Sequence, residues 1–427
     1  MKYQRLTTAC LSFCVAILSA MPAVKAASYA SFTVIADGLN HPRGLSFSSD
    51  GSLYVTEAGV GGNGDCVPPP SGQGDLLCYG TTGAVTKIKD GRVDRIITGL
   101  SSLALPDGSG AAGPRDIQFD HSGQPYILVG YGANPAIGST YFRDTALGKV
   151  ILADLQTNSH VNIADVANYE LVNNPDGEDI NSNPLSFLID DGKLILVDAG
   201  ANDLLSLKLS ANLDGSNLQL ISTFPQEVLT NPVFPSFASP SSEPNQVPSL
   251  DENQALPLTI QSVPSSVTKG LDGAYYVSQF TGFPFPEGQA KVYRVTADGQ
   301  INIYADNLTQ LTDLKFDQAG NLYVLQYANQ SAWKGNRDGS LIKIAADGTR
   351  TTILSGNGLE APNALTISPD GDIYITNRGD RPGQGQIIKI VNSQSIPEPT
   401  SVFSLLVFGS LGLSRIWQLR NTSSLKK

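Results

Sequence analysis

His41-Pro42-Arg43-Gly44-Leu45-Ser46-Phe47-Ser48-Ser49-Asp50-Gly51-Ser52-Leu53-Tyr54-Val55 reads as two short strands and the turn between them. Apolar and polar residues alternate on both sides of Asp50-Gly51, and Asp-Gly is a strong hairpin signal. The skeleton recurs as GPRDIQFDHSGQPYILV from Gly113, NPLSFLIDDGKLILV from Asn183, VPSSVTKGLDGAYYV from Val263, LTDLKFDQAGNLYVL from Leu311 and APNALTISPDGDIYI from Ala361. The turn glycines are Gly51, Gly123, Gly192, Gly273, Gly320 and Gly371. A third strand follows each copy, beginning at Gly83, Gly148, Asp203, Ala290, Gly339 and Gly385, and a fourth usually follows another turn, as in RVDRIITGL and QINIYADNL. Six such units with few helices predict an all-β, six-bladed β-propeller of four-stranded antiparallel blades. The sixth unit stops after its third strand, while Phe32–Leu39, FTVIADGL, has the sequence of a fourth. This N-terminal strand is expected to complete the last blade and close the ring. A solenoid is the alternative, but it would want capping repeats.

Long insertions fall between the early units, at Gly59–Gly83, Ser101–Gly113, Gly130–Gly148, Asn168–Asn183 and Phe224–Val263. Each follows a second strand or precedes a first strand, and in a propeller both loop classes lie on one face, the top. Loops of this length in a compact fold are usually functional or disordered. Any binding surface is therefore expected on the top face beside blades one to four.

The chain has 427 residues, 41% hydrophobic and only 16% charged, with a formal net charge of −11. It is too apolar for a disordered chain, and its acidity disfavours nucleic-acid binding. Residues 1–26 read as a secretory signal peptide: Lys2 and Arg5, an apolar run from Leu6 to Ala20, then the small-residue site Val24-Lys25-Ala26. A first transmembrane helix is the alternative, but the run is short for one. Cys10 and Cys14 would leave with the signal. Cys66 and Cys78 remain in a Gly- and Pro-rich loop, where export makes one disulfide the natural reading. A zinc pair is the alternative, with no His near enough to complete it.

Residues 395–427 carry a motif, Pro397-Glu398-Pro399, then a charge-free apolar stretch from Thr400 to Ser414, then Arg415, Arg420, Lys426 and Lys427. This order resembles the PEP-CTERM sorting signal of bacterial surface proteins. The resemblance implies a short apolar helix in transient contact with the membrane, a basic tail kept inside, and processing by an exosortase-type enzyme. A plain tail anchor is the other reading. The expected organisation is signal 1–26, propeller 27–394 and sorting segment 395–427, in a protein of the periplasm, cell surface or extracellular matrix.

The repeat resembles NHL-type propellers. HPRGLSFSSDGSLYVTEAGVGG, VPSSVTKGLDGAYYVSQFTGFPFPEGQAKVYRV and TDLKFDQAGNLYVLQYA together resemble the ScyD/ScyE family, named after scytonemin gene clusters, across essentially residues 30–392. The resemblance implies a fold and an exported setting rather than a reaction, and membership alone does not imply a part in pigment synthesis.

Fold does not decide function, so chemistry must be sought at the mouth of the central channel. Eight residues before each turn glycine stand Arg43, Arg115, Pro184, Ser265, Thr312 and Asn363; six residues after stand Glu57, Val129, Asp198, Gln279, Gln326 and Asn377. Both rings are expected to line the top of the pore. Propellers of the gluconolactonase/regucalcin type hold a divalent cation with Glu, Asn and Asp in the first ring; only Asn363 matches here. Asp116 and Asp313 lie one residue on and are expected to point to the other side of the strand. The candidate ligand-binding set is Arg43, Glu57, Arg115, Asp198, Gln279, Gln326, Asn363 and Asn377. In it the arginines would meet an anionic or carbonyl group, but the second ring can equally serve to bond loop backbone and hold the blades in register.

Tyr131, Tyr141, Phe142, Phe283, Phe285 and Trp333 are aromatics that could stack on a planar or sugar ligand or simply pack their loops. His41 is the one His near the mouth, and no GxSxG-like elbow is present. No cofactor is indicated except a weak Ca²⁺ candidate at Asp176, Glu178 and Asp179, where a solvated acidic loop is the competing reading. The sequence favours an exported propeller that binds a small molecule or protein partner on its top face, without a recognisable catalytic site. The alternatives are a hydrolase, lyase or oxidoreductase acting on an aromatic or sugar-like compound, and a structural matrix protein.

Overall fold

The computed structural model describes residues 31–391 apart from 70–73, 139, 210–217, 231 and 235–256. The signal 1–26, the sorting segment with Pro397, Glu398 and Pro399, and much of the Phe224–Val263 insertion lie outside the described residues. Residues 30–392 form one compact unit. Among the described residues no helix is long and apolar enough to cross a membrane.

The six hairpins are the inner halves of six antiparallel blades. Blade 1 holds Pro42–Phe47, Leu53–Glu57, Leu77–Lys89 and Arg92–Ala104, with the short Cys66–Val67 added at its edge. Blade 2 holds Pro114–Phe119, Pro125–Val129, Lys149–Asp154 and Ser159–Asp165, and blade 3 holds Pro184–Asp190, Lys193–Asp198, Asp203–Lys208 and Leu218–Thr223. Blades 4 and 5 run from Pro264–Lys269 to Ile301–Leu308 and from Leu311–Phe316 to Arg350–Glu360. Blade 6 consists of Ala364–Ile367, Ile373–Asn377 and Gly385–Val391, closed by the N-terminal Ser31–Leu39 as expected. Ser31 pairs with Val391 and Leu39 with Gly385.

All six turn glycines have positive φ, from 72° at Gly192 to 87° at Gly371. For most of them a Cβ would meet nothing, so backbone conformation, not space, demands glycine there. The preceding aspartates pin the turns: Asp120 Oδ1, for example, accepts the N–H of Ser122 and Gln124 at 2.8 and 2.9 Å.

Each seam between blades has its own apolar core. Ile97 meets Ile117 between blades 1 and 2, Leu128 meets Phe187 between 2 and 3, and Val197 meets Val277 between 3 and 4. Val292 meets Leu314, Leu354 meets Leu365, and Ile387 meets Leu45 round the rest of the ring. The last of these includes Ala36 and Leu39 of the N-terminal strand, so closure buries apolar surface as well as pairing an edge.

The inner strands break the expected alternation. In blades 1 to 5 the pairing with the second strand slips just after the first residue, at Pro42, Pro114, Pro184, Pro264 and Leu311. Such a bulge turns two successive side chains to one side. Blade 1 is the outsized unit. Its third and fourth strands are 13 residues each, and their upper ends rise above the disc. There Cys66 and Cys78 are directly opposed in the ladder and joined as the expected disulfide.

Candidate functional site

A cavity of about 630 Å³ opens on the top face at the channel mouth. Its floor and walls are two rings from the bulged inner strands. The upper ring is Arg43, Arg115, Leu185, Ser265, Thr312 and Asn363; the lower is Gly44, Asp116, Ser186, Ser266, Asp313 and Ala364. The blade 1 arm adds Leu77, Leu105 and Ala111 on one side, and Phe280 and Tyr327 stand on the other.

Two expectations are corrected here. Pro184 is not the blade 3 member of the upper ring; Leu185 is. Asp190 pairs directly with Lys193 in blade 3, whereas Phe47 and Leu53 flank a longer turn in blade 1. Counting back from Gly192 therefore lands one residue early. Asp116 and Asp313 do not point away from the channel, because the bulge brings them to the same side as their neighbours.

The lower ring is a hydrogen-bonded belt. Asp116 Oδ2 accepts from Ser186 Oγ at 3.1 Å and from the N–H of Phe187 at 3.0 Å. Ser186 Oγ lies 3.2 Å from Ser266 Oγ, which donates to Asp313 Oδ1 at 2.6 Å. Asp313 Oδ2 accepts the N–H of Leu365 at 2.7 Å. The belt ties blades 2 to 6 across the axis. Lys315 Nζ adds a contact to Asp313 Oδ1 at 3.3 Å. Burial pushes the Asp116 carboxyl up to about 6, against the pull of Lys315. Gly44 completes the ring because a Cβ there would lie 2.6 Å from Asp116 Oδ1.

The upper ring carries the charge. Arg43 is held in place: Nη1 donates to Asn363 Oδ1 at 2.8 Å and Nη2 to the Ala111 carbonyl at 2.9 Å. Arg115 has no hydrogen-bond or ion-pair partner among the described residues. Its stem runs past Gly130, where a Cβ would come within 2.8 Å of its Cγ. Burial, and then the nearby Arg43 charge, lowers the Arg115 guanidinium well below its usual range. Burial lowers Arg43 to about 10.

His41 lines the cavity with its Nδ1 2.8 Å from the Gly59 carbonyl. Its Nε2 is buried without a partner. Burial, then Arg43, lowers it to about 4, so the ring is neutral at physiological pH. At the rim Arg337 Nη1 donates to Tyr327 Oη at 2.5 Å and pairs with Asp380.

The second predicted ring lies outside the cavity. Glu57, Asp198, Gln326 and Asn377 are buried and accept backbone N–H groups just ahead of their own inner strands, from Asn40, Asn183, Thr309 and Glu360 at 2.7, 2.6, 2.9 and 2.8 Å. Gln279 Nε2 donates to Glu227 Oε1 at 2.7 Å and to Ser262 Oγ at 3.1 Å. These bonds fix the top loops. Thus, of the candidate set, the structure gathers Arg43, Arg115 and Asn363 at the cavity and puts Glu57, Asp198, Gln279, Gln326 and Asn377 behind it.

None of the six singled-out aromatics lines the cavity. Tyr131 and Phe142 are buried, with Phe142 stacked on Tyr79 of the blade 1 arm. Trp333 Nε1 donates to the Pro284 carbonyl, while Tyr141 and Phe283 are exposed. Phe280 and Tyr327 were missed. They directly follow Gln279 and Gln326, and equivalent positions in blades 1 to 3 hold the small Ala58, Gly130 and Ala199. A ring read one residue further on would have found them.

Among the described residues no three His, Cys, Asp or Glu side chains are gathered to hold a metal ion. Asp176 is engaged by Asn202 Nδ2 and the Glu178 N–H, and Glu178 and Asp179 are exposed.

No protein-family model and no curated protein matches the chain. Among solved structures, a streptogramin B lyase aligns with TM-score 0.44 and 12% identity, over 85% of this chain and 97% of that one. A structure reported as a gluconolactonase gives 0.46 and 10%, over 84% and 92%. A chain of a nidogen/laminin complex gives 0.38 and 13%, over 70% and 84%. At these identities nothing of what those proteins do is carried over to this chain.

Proposed function

We propose that this protein is an exported propeller of the ScyD/ScyE type that binds a small organic anion in the cavity on its top face. The observation that carries the reading is Arg115, a guanidinium turned into a cavity of about 630 Å³ with no partner of its own. Leaving a cation unpaired in a part-buried site is costly, and a carboxylate, phosphate or carbonyl oxygen is its natural complement. Arg43, already fixed by Asn363, offers a second cation beside it. The volume suits a compound of drug size, and Phe280 and Tyr327 suit one with a planar portion. The signal 1–26 and a PEP-CTERM-type segment 395–427, processed by an exosortase-type enzyme, would deliver the protein to the periplasm, surface or matrix.

Thermal shift and calorimetry with aromatic carboxylates and aryl phosphates test this reading. A ligand should raise the melting temperature of the wild type and bind at least tenfold more weakly to Arg115→Ala. Binding that is equal in the two proteins would overturn it.

His41 supports a second reading as an enzyme. A neutral imidazole beside Arg43 and Asp380, on the same cavity as Arg115, has the composition of a general base next to anion-stabilising groups. In that case His41→Ala should abolish turnover of a bound compound while leaving its affinity within a few-fold.

A further inference from the structure

The helix Val166–Asn173 follows blade 2, where the N–H groups of Val166 and Ala167 bond the Gly148 carbonyl, and it buries Val166, Ala167 and Glu170. Val166 packs in one cluster with Leu205. Glu170 lies one helical turn further along the same face, and Asp203 lies two residues before Leu205 on the same face of its strand. The Glu170 carboxyl is near enough for its charge to act on Asp203, which begins the third strand of blade 3. Both are buried, at 1% and 0% exposure; none of their four oxygens has a partner at full hydrogen-bond geometry, and the one donor close to either is the Asn181 N–H beside Glu170. No Lys, Arg or His among the described residues pairs with either. Asn174, which caps the helix, also leaves its Oδ1 buried without a partner, while its Nδ2 donates to the Glu178 carbonyl at 2.9 Å.

The neighbouring acids do not supply what is missing. Asp198 is the register partner of Asp203, but its oxygens are taken by Ser182 Oγ and the N–H groups of Asn183, Gly200 and Ala201. Asp176 is held by Asn202, the residue before Asp203, at 2.9 Å. The unfilled positions are thus all oxygens, with no nitrogen or sulfur among them. Such a set suits a hard divalent cation, not zinc. We propose that Glu170 and Asp203, with the Asn174 side-chain oxygen, hold a calcium ion between the helix and blade 3.

Two carboxylates neutralise the ion, and backbone carbonyls and water can complete its shell. Burial, then the charges of Asp198 and Asp176, raises Glu170 to about 7; burial, then the charges of Asp198, Glu170 and Asp176, raises Asp203 well above its usual range. The ion would remove that repulsion. The site differs from the acidic loop singled out in the sequence, since Glu178 and Asp179 face solvent.

The test is a Ca²⁺ titration of the full chain after EGTA treatment, read by melting temperature, with Tb³⁺ luminescence as a direct binding probe. Ca²⁺ should raise the melting temperature by several degrees and Mg²⁺ by much less. Glu170→Gln and Asp203→Asn should each abolish the Ca²⁺ response and the Tb³⁺ signal, yet melt higher than the wild type in EGTA. Glu178→Gln/Asp179→Asn should keep both responses. The proposal is overturned if Ca²⁺ leaves the wild type unchanged, or if the response survives in Glu170→Gln and Asp203→Asn. It is equally overturned if the response is lost only in the Glu178/Asp179 variant.

Discussion

Arg95 grips Glu57 with two short bonds, Nε to Oε1 at 2.8 Å and Nη2 to Oε2 at 2.7 Å. The same carboxylate accepts the Asn40 N–H at 2.7 Å and Thr86 Oγ1 at 2.5 Å. Arg95 Nη2 reaches on to the Gly38 carbonyl at 3.3 Å. Gly38 belongs to the N-terminal strand of blade 6, so this pair stitches blade 1 to the strand that closes the ring. A carboxylate so fully used has nothing left for a ligand.

Glu57→Ala should therefore cost about 2 kcal/mol, since it takes the acceptor from the Asn40 N–H and Thr86 Oγ1, while Arg95, 42% exposed, can turn to water. Urea unfolding measures the loss. Hydrogen exchange should show residues 31–39 losing protection first, and the cavity's affinity for an anion should change little.

Arg115→Met should raise stability by about 1 kcal/mol while abolishing anion binding, since it removes an unpartnered part-buried charge. Denaturant midpoints and calorimetry check the two halves. A loss of stability would mean that Arg115 has a structural partner after all.

Asp313→Ala should cost about 3 kcal/mol. It strips acceptors from Ser266 Oγ and the buried N–H of Leu365, so donors on blades 4 and 6 are left unmatched. Asp313→Asn, which keeps one oxygen, should cost roughly half as much in the same urea titration.

The pH dependence should run against the usual direction. Burial raises Asp116 and Asp198 to about 6, and burial with the charges of Asp198 and Asp176 raises Glu170 to about 7. Each keeps its proton in the folded chain at a pH where the unfolded chain has lost it. Their contribution is complete below about pH 4 and is lost as pH rises through 6 and 7. His41, lowered to about 4, works the other way between about pH 4 and 6.5 and then has no further effect. In EGTA the melting temperature should fall between pH 6.5 and 8. Glu170→Gln, which removes the carboxyl facing Asp203, Asp198 and Asp176, should flatten that fall.

Reducing the Cys66–Cys78 bridge should act locally. It closes a loop of sequence separation 12, worth up to about 3 kcal/mol. The bridge sits on the blade 1 arm rather than in a seam, so the reduced or Cys66→Ser/Cys78→Ser protein should keep its strand circular dichroism. Its anion affinity should drop, because Leu77 and Leu105 of the same arm wall the cavity.

The blades were legible because a hairpin announces itself locally. Asp50-Gly51 and its five counterparts fix the turns, and the stray FTVIADGL could be matched to the one vacant strand. The site was legible only in part, because it depends on register at a bulge, which period-2 counting cannot see. Arg43, Arg115 and Asn363 were found, since each stands on the correct side under either count. Asp116 and Asp313 were assigned to the wrong side for the same reason that Pro184 displaced Leu185: one residue more or less reverses a strand's faces. Glu57 and its ring were expected at the pore because they end the second strands there. That their side chains turn back to the loop backbone is a tertiary fact with no local signature.

Ser31 and Val391 face each other at the lower end of the last blade's outer pair. Chain entry and chain exit thus share a single point, on the side of the disc opposite the Arg115 cavity. A tag or fused domain joined at residue 31 or 391 would therefore start from the face away from Arg115, and a propeller tethered there would keep its cavity free.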